Sequence, residues 1–360
     1  MRKELVLIII AGVFIGIAAV TLVSLGNIAN MGFCIGCFER DIAAAMGLHD
    51  FRIFAWIRPE IIGILLGAFL AAFFTKEFHP EGGSSPITRF LLGMLVMIGM
   101  LTFLGCPLRM ILRIGGGDLN AVVGLIGLTV GVSVGVIFLR KGFSLGRTQK
   151  QGNLESLVMP TLMIGLLIIL IFLPVFKTGG PIFVAGKGHP GTPGTPVSQS
   201  LGIIISLGFG LIVGILAQKA RLCLVGGIRD IFLIRNTFIV TGFLAILLVT
   251  LACNIIFGKF HLGFENQPVA HTAHLWNFLG MALVGLGSVF LGACPLRQII
   301  LSGNGNTDSA LAVLGMFAGA AIVHNFGLDK AATVYGKAAV IIALIVVLII
   351  GYVNREKLSD

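Results

Sequence analysis

The sequence predicts an all-α polytopic membrane protein with about ten spans, four short re-entrant half-helices and two inverted repeats. Three observations carry that prediction: scarcity of charge, a series of long apolar stretches, and an internal repeat. Of 360 residues, 25 are Lys or Arg and 15 are Asp or Glu, so 11% are charged while 57% are hydrophobic. A soluble domain carries roughly 25% charged residues to coat its surface, so this composition excludes a soluble enzyme. Disorder is excluded as well, because it needs low hydrophobicity, and mean hydropathy here is +1.04. The 50 glycines are about twice ordinary usage and suit helices that pack closely in a bilayer. The net charge of +10 reads as basic loop charge on the cytoplasmic side, so no nucleic-acid partner is expected.

A span needs about 20 mostly apolar residues. Such stretches fall at 5–25, 58–75, 88–104, 119–139 and 157–176, then at 199–217, 236–257, 275–292, 309–326 and 335–353. The first is too long for a signal-peptide core and lacks a small-x-small cleavage site, so it reads as a spanning helix. Small-xxx-small pairs recur within the spans (Gly12/Gly16, Gly63/Gly67, Gly127/Gly131/Gly135, Gly210/Gly214, Gly315/Gly319) and read as helix-packing sites. Basic residues gather at Arg2 and Lys3, Lys76 and Arg89, Arg140 to Lys150, 218–235, and Arg355 and Lys357. All fall on one side if both termini are cytoplasmic in an inner membrane. The opposite side then receives the Gly/Pro loop 177–198, together with Arg40, Arg52 and Arg58.

Self-similarity organises the chain. Cys34 to Ile42 and Cys223 to Ile231 both read C-x5-R-D-I, offset by 189 residues. Gly105-Cys106-Pro107-Leu108-Arg109 matches Ala293-Cys294-Pro295-Leu296-Arg297, offset by 188, and each leads to a Gly-rich turn, 115–118 and 303–306. Five crossings separate the starts of the halves, and an odd number inverts the second, as in many transporters whose substrate site lies between repeats. The expected division is a first repeat 1–139, a connector 140–198 and a second repeat 199–360.

Each repeated cysteine sits where a continuous span cannot. Segment 29–47 is short and polar at one end (Glu39, Arg40, Asp41), so it reads as a half-helix, with 218–235 as its counterpart. Pro107 and Pro295 cannot continue a preceding helix but are favoured as the first residue of a new one. Half-helices are therefore expected at 106–114 and 294–302, with Cys106 and Cys294 as caps and positive dipole ends beside the thiols. Arg109 and Arg297 follow at i+3, on the face of the thiol, and intramembrane charge marks function by default. Arg40–Asp41 and Arg229–Asp230 read either as ion pairs closing the half-helices or as substrate contacts. Cys253 reads as a packing residue. Cys34 and Cys37 form a C-x-x-C, which allows redox or sulfur-transfer chemistry, although Gly226 stands at the matching place in the second half. The histidines offer no metal-ligand set, and no cofactor motif is present. Cys34, Cys106, Cys223 and Cys294 with Arg109 and Arg297 thus describe a pathway for a soft sulfur- or selenium-containing anion. Cys37, Arg40, Asp41, Arg229 and Asp230 would support it.

These motifs resemble the YeeE/YedE sulfur-transport family, most of all its YedE-type selenium transporters. The likeness is carried by N-M-G-F-C-I-G-C-F-x-R-D-I (30–42), R-P-E-I (58–61), F-L-G-C-P-L-R (103–109) and G-x-C-P-L-R (292–297). The resemblance implies an inner-membrane uptake protein of hourglass fold. It also implies cysteines that relay the substrate at Cys34, Cys106 and Cys294, with Cys223 as the fourth symmetric position. Its substrate would be a selenium species, thiosulfate or a related anion, and a small cytoplasmic sulfur-carrier protein would be the acceptor.

Overall fold

The structure, a computed structural model, describes residues 2–172, 188–192, 194–329 and 333–355. The Gly179-Gly180-Pro181 turn, the end of the 157–176 span and Lys357 lie outside the described residues. In chain order the helices are α1 (Arg2–Ser24), α2 (Ile35–Ala45), α3 (Pro59–Phe74), α4 (Pro86–Phe103) and α5 (Pro107–Gly115). Next come α6 (Leu119–Arg140), α7 (Asn153–Ser156), α8 (Val158–Phe172), α9 (Gln199–Lys219) and α10 (Leu224–Ile234). The last five are α11 (Phe238–Ile256), α12 (His274–Leu291), α13 (Pro295–Gly303), α14 (Thr307–Asn325) and α15 (Val334–Val353). A short helical turn spans Arg52–Phe54, and two-residue strands β1 (Glu81–Gly82) and β2 (Gln149–Lys150) pair antiparallel.

Every apolar stretch expected from the sequence is helical over its described residues, apart from a residue or two at its ends. Among the described residues, eight helical segments are long and apolar enough to cross a bilayer, three of them running on through a break into a half-helix (α4 into α5, α9 into α10, α12 into α13). The other two, α3 and α8, are shorter. The 16 residues of α3 extend only about 24 Å at 1.5 Å per residue, less than the hydrocarbon thickness of about 30 Å. Large aliphatic residues stand exposed along the outer helices, among them Ile10, Ile126, Ile204, Leu248 and Ile342. Water would disfavour such a belt, whereas lipid accepts it.

Helix packing is reciprocal between the halves. The partners α6 and α12 match α14 and α4, and α3 and α9 match α11 and α1. Likewise α5 on α11 matches α13 on α3, and α2 on α14 matches α10 on α6. Exchanging each helix for its counterpart maps the packing onto itself, as a pseudo-two-fold axis does. Outside this set, α15 lies against α4 and α12, and α8 against α3 and α13.

Close crossings use glycine. Cβ atoms at Gly63 and Gly67 would collide with the α9 backbone at Leu207 and Leu211, and Cβ atoms at Gly210 and Gly214 with the carbonyls of Glu60 and Ile64. The α1–α11 crossing does the same with Gly12 and Gly242, and the α6–α12 crossing with Gly127 and Gly131. Glycine there removes the side-chain spacer so that two backbones meet.

The loops sort into two ends. One holds Glu81 opposite Lys150, the Glu77–Gln218 hydrogen bond, Arg140 on the Phe232 carbonyl, and Phe143 bridged to Arg355. The other joins Lys259 to Ser24, Leu119 to Gly263, Asn325 to Leu48 and Arg58 to Gly188. Substituting Gly67→Leu should lower unfolding stability by about 1–3 kcal/mol through overpacking. Gly165→Leu, where nothing lies within 4 Å of the added carbon, should leave the thermal midpoint in detergent unchanged.

Candidate functional site

All four repeated cysteines are N-cap residues of half-helices: Cys34 for α2, Cys106 for α5, Cys223 for α10 and Cys294 for α13. The chain reaches each cap through a break. Ahead of Cys106, Leu104 ends α4 in the left-handed region (φ 62°), and Gly292 (φ 86°) does so ahead of Cys294. A non-glycine residue is uncommon there, so the turn at Leu104 is held against its local preference. Proline then opens α5 and α13, where its missing N–H costs nothing.

The sulfurs receive backbone N–H groups in matching fashion. Cys37 N–H donates to Cys34 Sγ (3.3 Å), and Gly226 N–H donates to Cys223 Sγ (3.3 Å). Between half-helices, Ile35 N–H donates to Cys106 Sγ (3.2 Å) and Cys294 N–H donates to Cys223 Sγ (3.3 Å). Both cross-links span 71 residues. The Cys34 and Cys106 side chains also interact with each other, as do those of Cys223 and Cys294. The four thiols thus form two pairs, each joining two half-helix N-termini of one repeat. All four residues are buried. Two helix N-termini meeting at two polarisable sulfurs favour negative charge and offer a weak, exchangeable contact to a soft atom. Cys34 Sγ also lies 2.7 Å from Cys37 Sγ.

The arginines at i+3 differ from the expectation. Arg109 does not present its donors freely beside the thiol. Its guanidinium is held by the backbone carbonyls of Asn30 (3.2 Å), Leu104, Pro268 (3.2 Å) and Val269 (3.3 Å). Arg297 is half-buried and bonds the Gln218 side chain (2.8 Å). Asn30 and Gln218 are each 79 residues before their arginine, so the clamp is repeated while its strength is not. Both charges remain near enough to act electrostatically on the cysteines.

The two Arg–Asp pairs diverge further. Asp41 is buried and binds Arg40 (2.6 Å) with one oxygen and Arg58 (2.5 Å) with the other. Arg58 continues to Asn27 (3.2 Å), which bonds Glu60 (2.9 Å). Arg229–Asp230 is a local pair at 2.9 Å with side chains 30% and 20% exposed. Sequence reasoning placed Arg58 in an external loop and did not weigh Asn27 or Glu60, although a charge beside an apolar span was the available signal. It also passed over the buried Arg113–Asp118 pair (2.6 Å), which ties the end of α5 to the cap of α6. The histidines are engaged elsewhere. His271 bonds the Thr102 carbonyl (2.7 Å), and burial holds its imidazole below the usual range.

Removing one partner of a fully buried pair strands a charge, which costs about 3–5 kcal/mol. Asp41→Asn should therefore lower unfolding stability by that order. Asp230→Asn, at a part-exposed pair, should change it by less than about 1 kcal/mol, as chemical denaturation in detergent would read.

A sequence model of the family described as "Sulphur transport" matches residues 219–352, a range that holds Cys223 and Cys294. The chain is also 26% identical over 132 residues to the thiosulfate transporter TsuA of Escherichia coli (strain K12). That match covers 36% of this chain and 37% of the relative, so the chain spans little more than a third of that protein's length.

Proposed function

We propose, from the premise that both matches support the YeeE/YedE sulfur-transport family, that this multi-pass membrane protein carries a small sulfur-containing anion across the bilayer. The observation that supports this most is the reciprocal capping of four half-helices by four buried cysteines. A packing role does not call for sulfur at four corresponding N-termini. An anion passing them would meet positive dipole ends and soft, weakly donating thiols, the weak multi-site binding that conduction needs. Thiosulfate is the first candidate, because that is the cargo named for the relative, and a selenium oxyanion of similar size is the second.

In this reading, residues 1–139 and 199–360 are two inverted repeats joined by 140–198, and Cys34/Cys106 and Cys223/Cys294 are successive stations. Arg109 and Arg297 hold the half-helices in place and add positive potential. Cys37, Arg40, Asp41, Arg229 and Asp230 support the stations. The end that carries Lys76, Arg140, Lys141, Arg147, Lys150 and Arg355 faces the cytoplasm of an inner membrane, following the positive-inside rule. A small sulfur-carrier protein would take the cargo there.

Uptake of labelled thiosulfate into proteoliposomes, with selenite and sulfite as competitors, tests this. Cys106→Ala or Cys294→Ala should slow uptake by about tenfold, the effect of roughly 1.4 kcal/mol on a barrier. Unchanged uptake in both variants would overturn the relay.

The contact between Cys34 and Cys37 sulfurs supports a second reading, a membrane thiol oxidoreductase or sulfurtransferase. That reading requires Cys37, so a Cys37→Ser chain with full thiosulfate uptake would discard it.

A further inference from the structure

One buried ionisable group has no place in the scheme so far. Glu39 lies on α2, five residues beyond Cys34, and is fully buried (0% exposed). Neither of its carboxyl oxygens has a hydrogen-bond partner. The other charged groups described nearby have partners of their own. On α2 itself Arg40 binds Asp41, which also binds Arg58. The helices packed against α2 are α3, α4, α13 and α14, beside the Arg52–Phe54 turn, whose Arg52 side chain lies outside the described residues. Their charged groups are Glu60, held by Asn27, Arg89 with Asp308 (3.2 Å), Arg297 on Gln218, and His324 beside Asp329 (3.6 Å). In the loop after α2, His49 bonds the Arg40 carbonyl (3.1 Å).

Arg40 and Arg58 both bind Asp41, so among the described residues no arginine is paired with Glu39. An isolated carboxylate is too costly in an apolar interior, so such a group holds a proton. Packing does not demand the acid either. The corresponding residue 189 positions later is Ile228, also buried, so an aliphatic side chain fits the equivalent place.

We propose that Glu39 is a proton-binding site that couples anion movement to proton movement, making the chain a proton–anion symporter. The proposal rests on the transport reading above. Cys34 caps the 11-residue half-helix that carries Glu39, about 7.5 Å of rise away, so a single element joins the anion station and the proton. Loading forms one O–H bond on the Glu39 carboxylate with a proton from water on the entry side. Unloading breaks that bond and returns the proton to water on the exit side. The co-transported proton offsets part of the anion's charge.

The test uses the full chain in proteoliposomes, with the membrane potential clamped at zero by valinomycin and equal potassium. Radiolabelled thiosulfate is supplied outside, and a pH-sensitive dye is trapped inside. With one proton per anion, an inward gradient of one pH unit should drive up to about tenfold accumulation, and adding thiosulfate should acidify the interior. Glu39→Gln should abolish both effects while exchange of labelled for unlabelled thiosulfate continues, which also shows that the variant is folded. Uptake by the unsubstituted chain that ignores the gradient, or a Glu39→Gln chain that still accumulates, overturns the proposal. If Glu39→Gln stops exchanging too, infrared spectroscopy decides. A protonated-carboxyl band present in the unsubstituted chain and missing from Glu39→Gln upholds proton binding, and its absence from both refutes it. Failure of the unsubstituted chain to move thiosulfate in any mode defeats the transport reading itself, a result distinct from loss of coupling alone.

Discussion

A helix that begins inside a bilayer leaves backbone N–H groups that no water can satisfy, and each unsatisfied donor costs free energy. Four helices of this protein begin that way, and much of the architecture answers those donors. Cysteine sulfur supplies acceptors at α2 and α10 within the helix, and between helices at α2–α5 and α10–α13. Serine or aspartate at these caps would accept the same hydrogens more strongly. Sulfur accepts them weakly, so the donors stay available to a competing anion. The same constraint suits half-helices that come in facing pairs, since in each pair one N-terminus donates to the cap sulfur of the other.

Much of this was legible in the chain. The described parts of the ten apolar stretches, the four half-helices and the caps at Cys106 and Cys294 are where periodicity, proline and repeated cysteine place them, because those signals are local, whereas the caps at Cys34 and Cys223 emerge only in the structure. Pro107 and Pro295 act on the residue beside them, and a span announces itself by length. Partnership across the fold was not legible. Nothing local tells that Arg109 bonds carbonyls at 268 and 269, or that Arg58 reaches back to Asp41 rather than facing water. A guanidinium spacing of i+3 sets which face it leaves, but the acceptors it finds depend on segments that pack later. Which thiols pair with which was not legible for a related reason. Equal motif offsets show which residues correspond and leave open which of them meet.

The halves are alike in frame and unlike in charge. The first carries the buried Arg40–Asp41–Arg58 array, the Asn27–Glu60 contact and the Arg113–Asp118 pair. The corresponding Arg229–Asp230 pair is part exposed. A buried array of this kind is a weak source of net stability, but breaking any one bond in it is expensive. It fixes the geometry around α2 more tightly than the second half fixes α10.

Arg109 extends that difference to the scale of the whole molecule. Its one guanidinium staples three stretches of chain: the approach to α2, the end of α4, and the loop ahead of α12 in the other half. Arg297 makes a single bond to a side chain in its own half. The guanidinium beside the first thiol pair is therefore tied directly to both halves of the protein, whereas the one beside the second reaches the other half only through Gln218 and its bond to Glu77. The backbone around Cys34 and Cys106 is thereby the more heavily braced of the two.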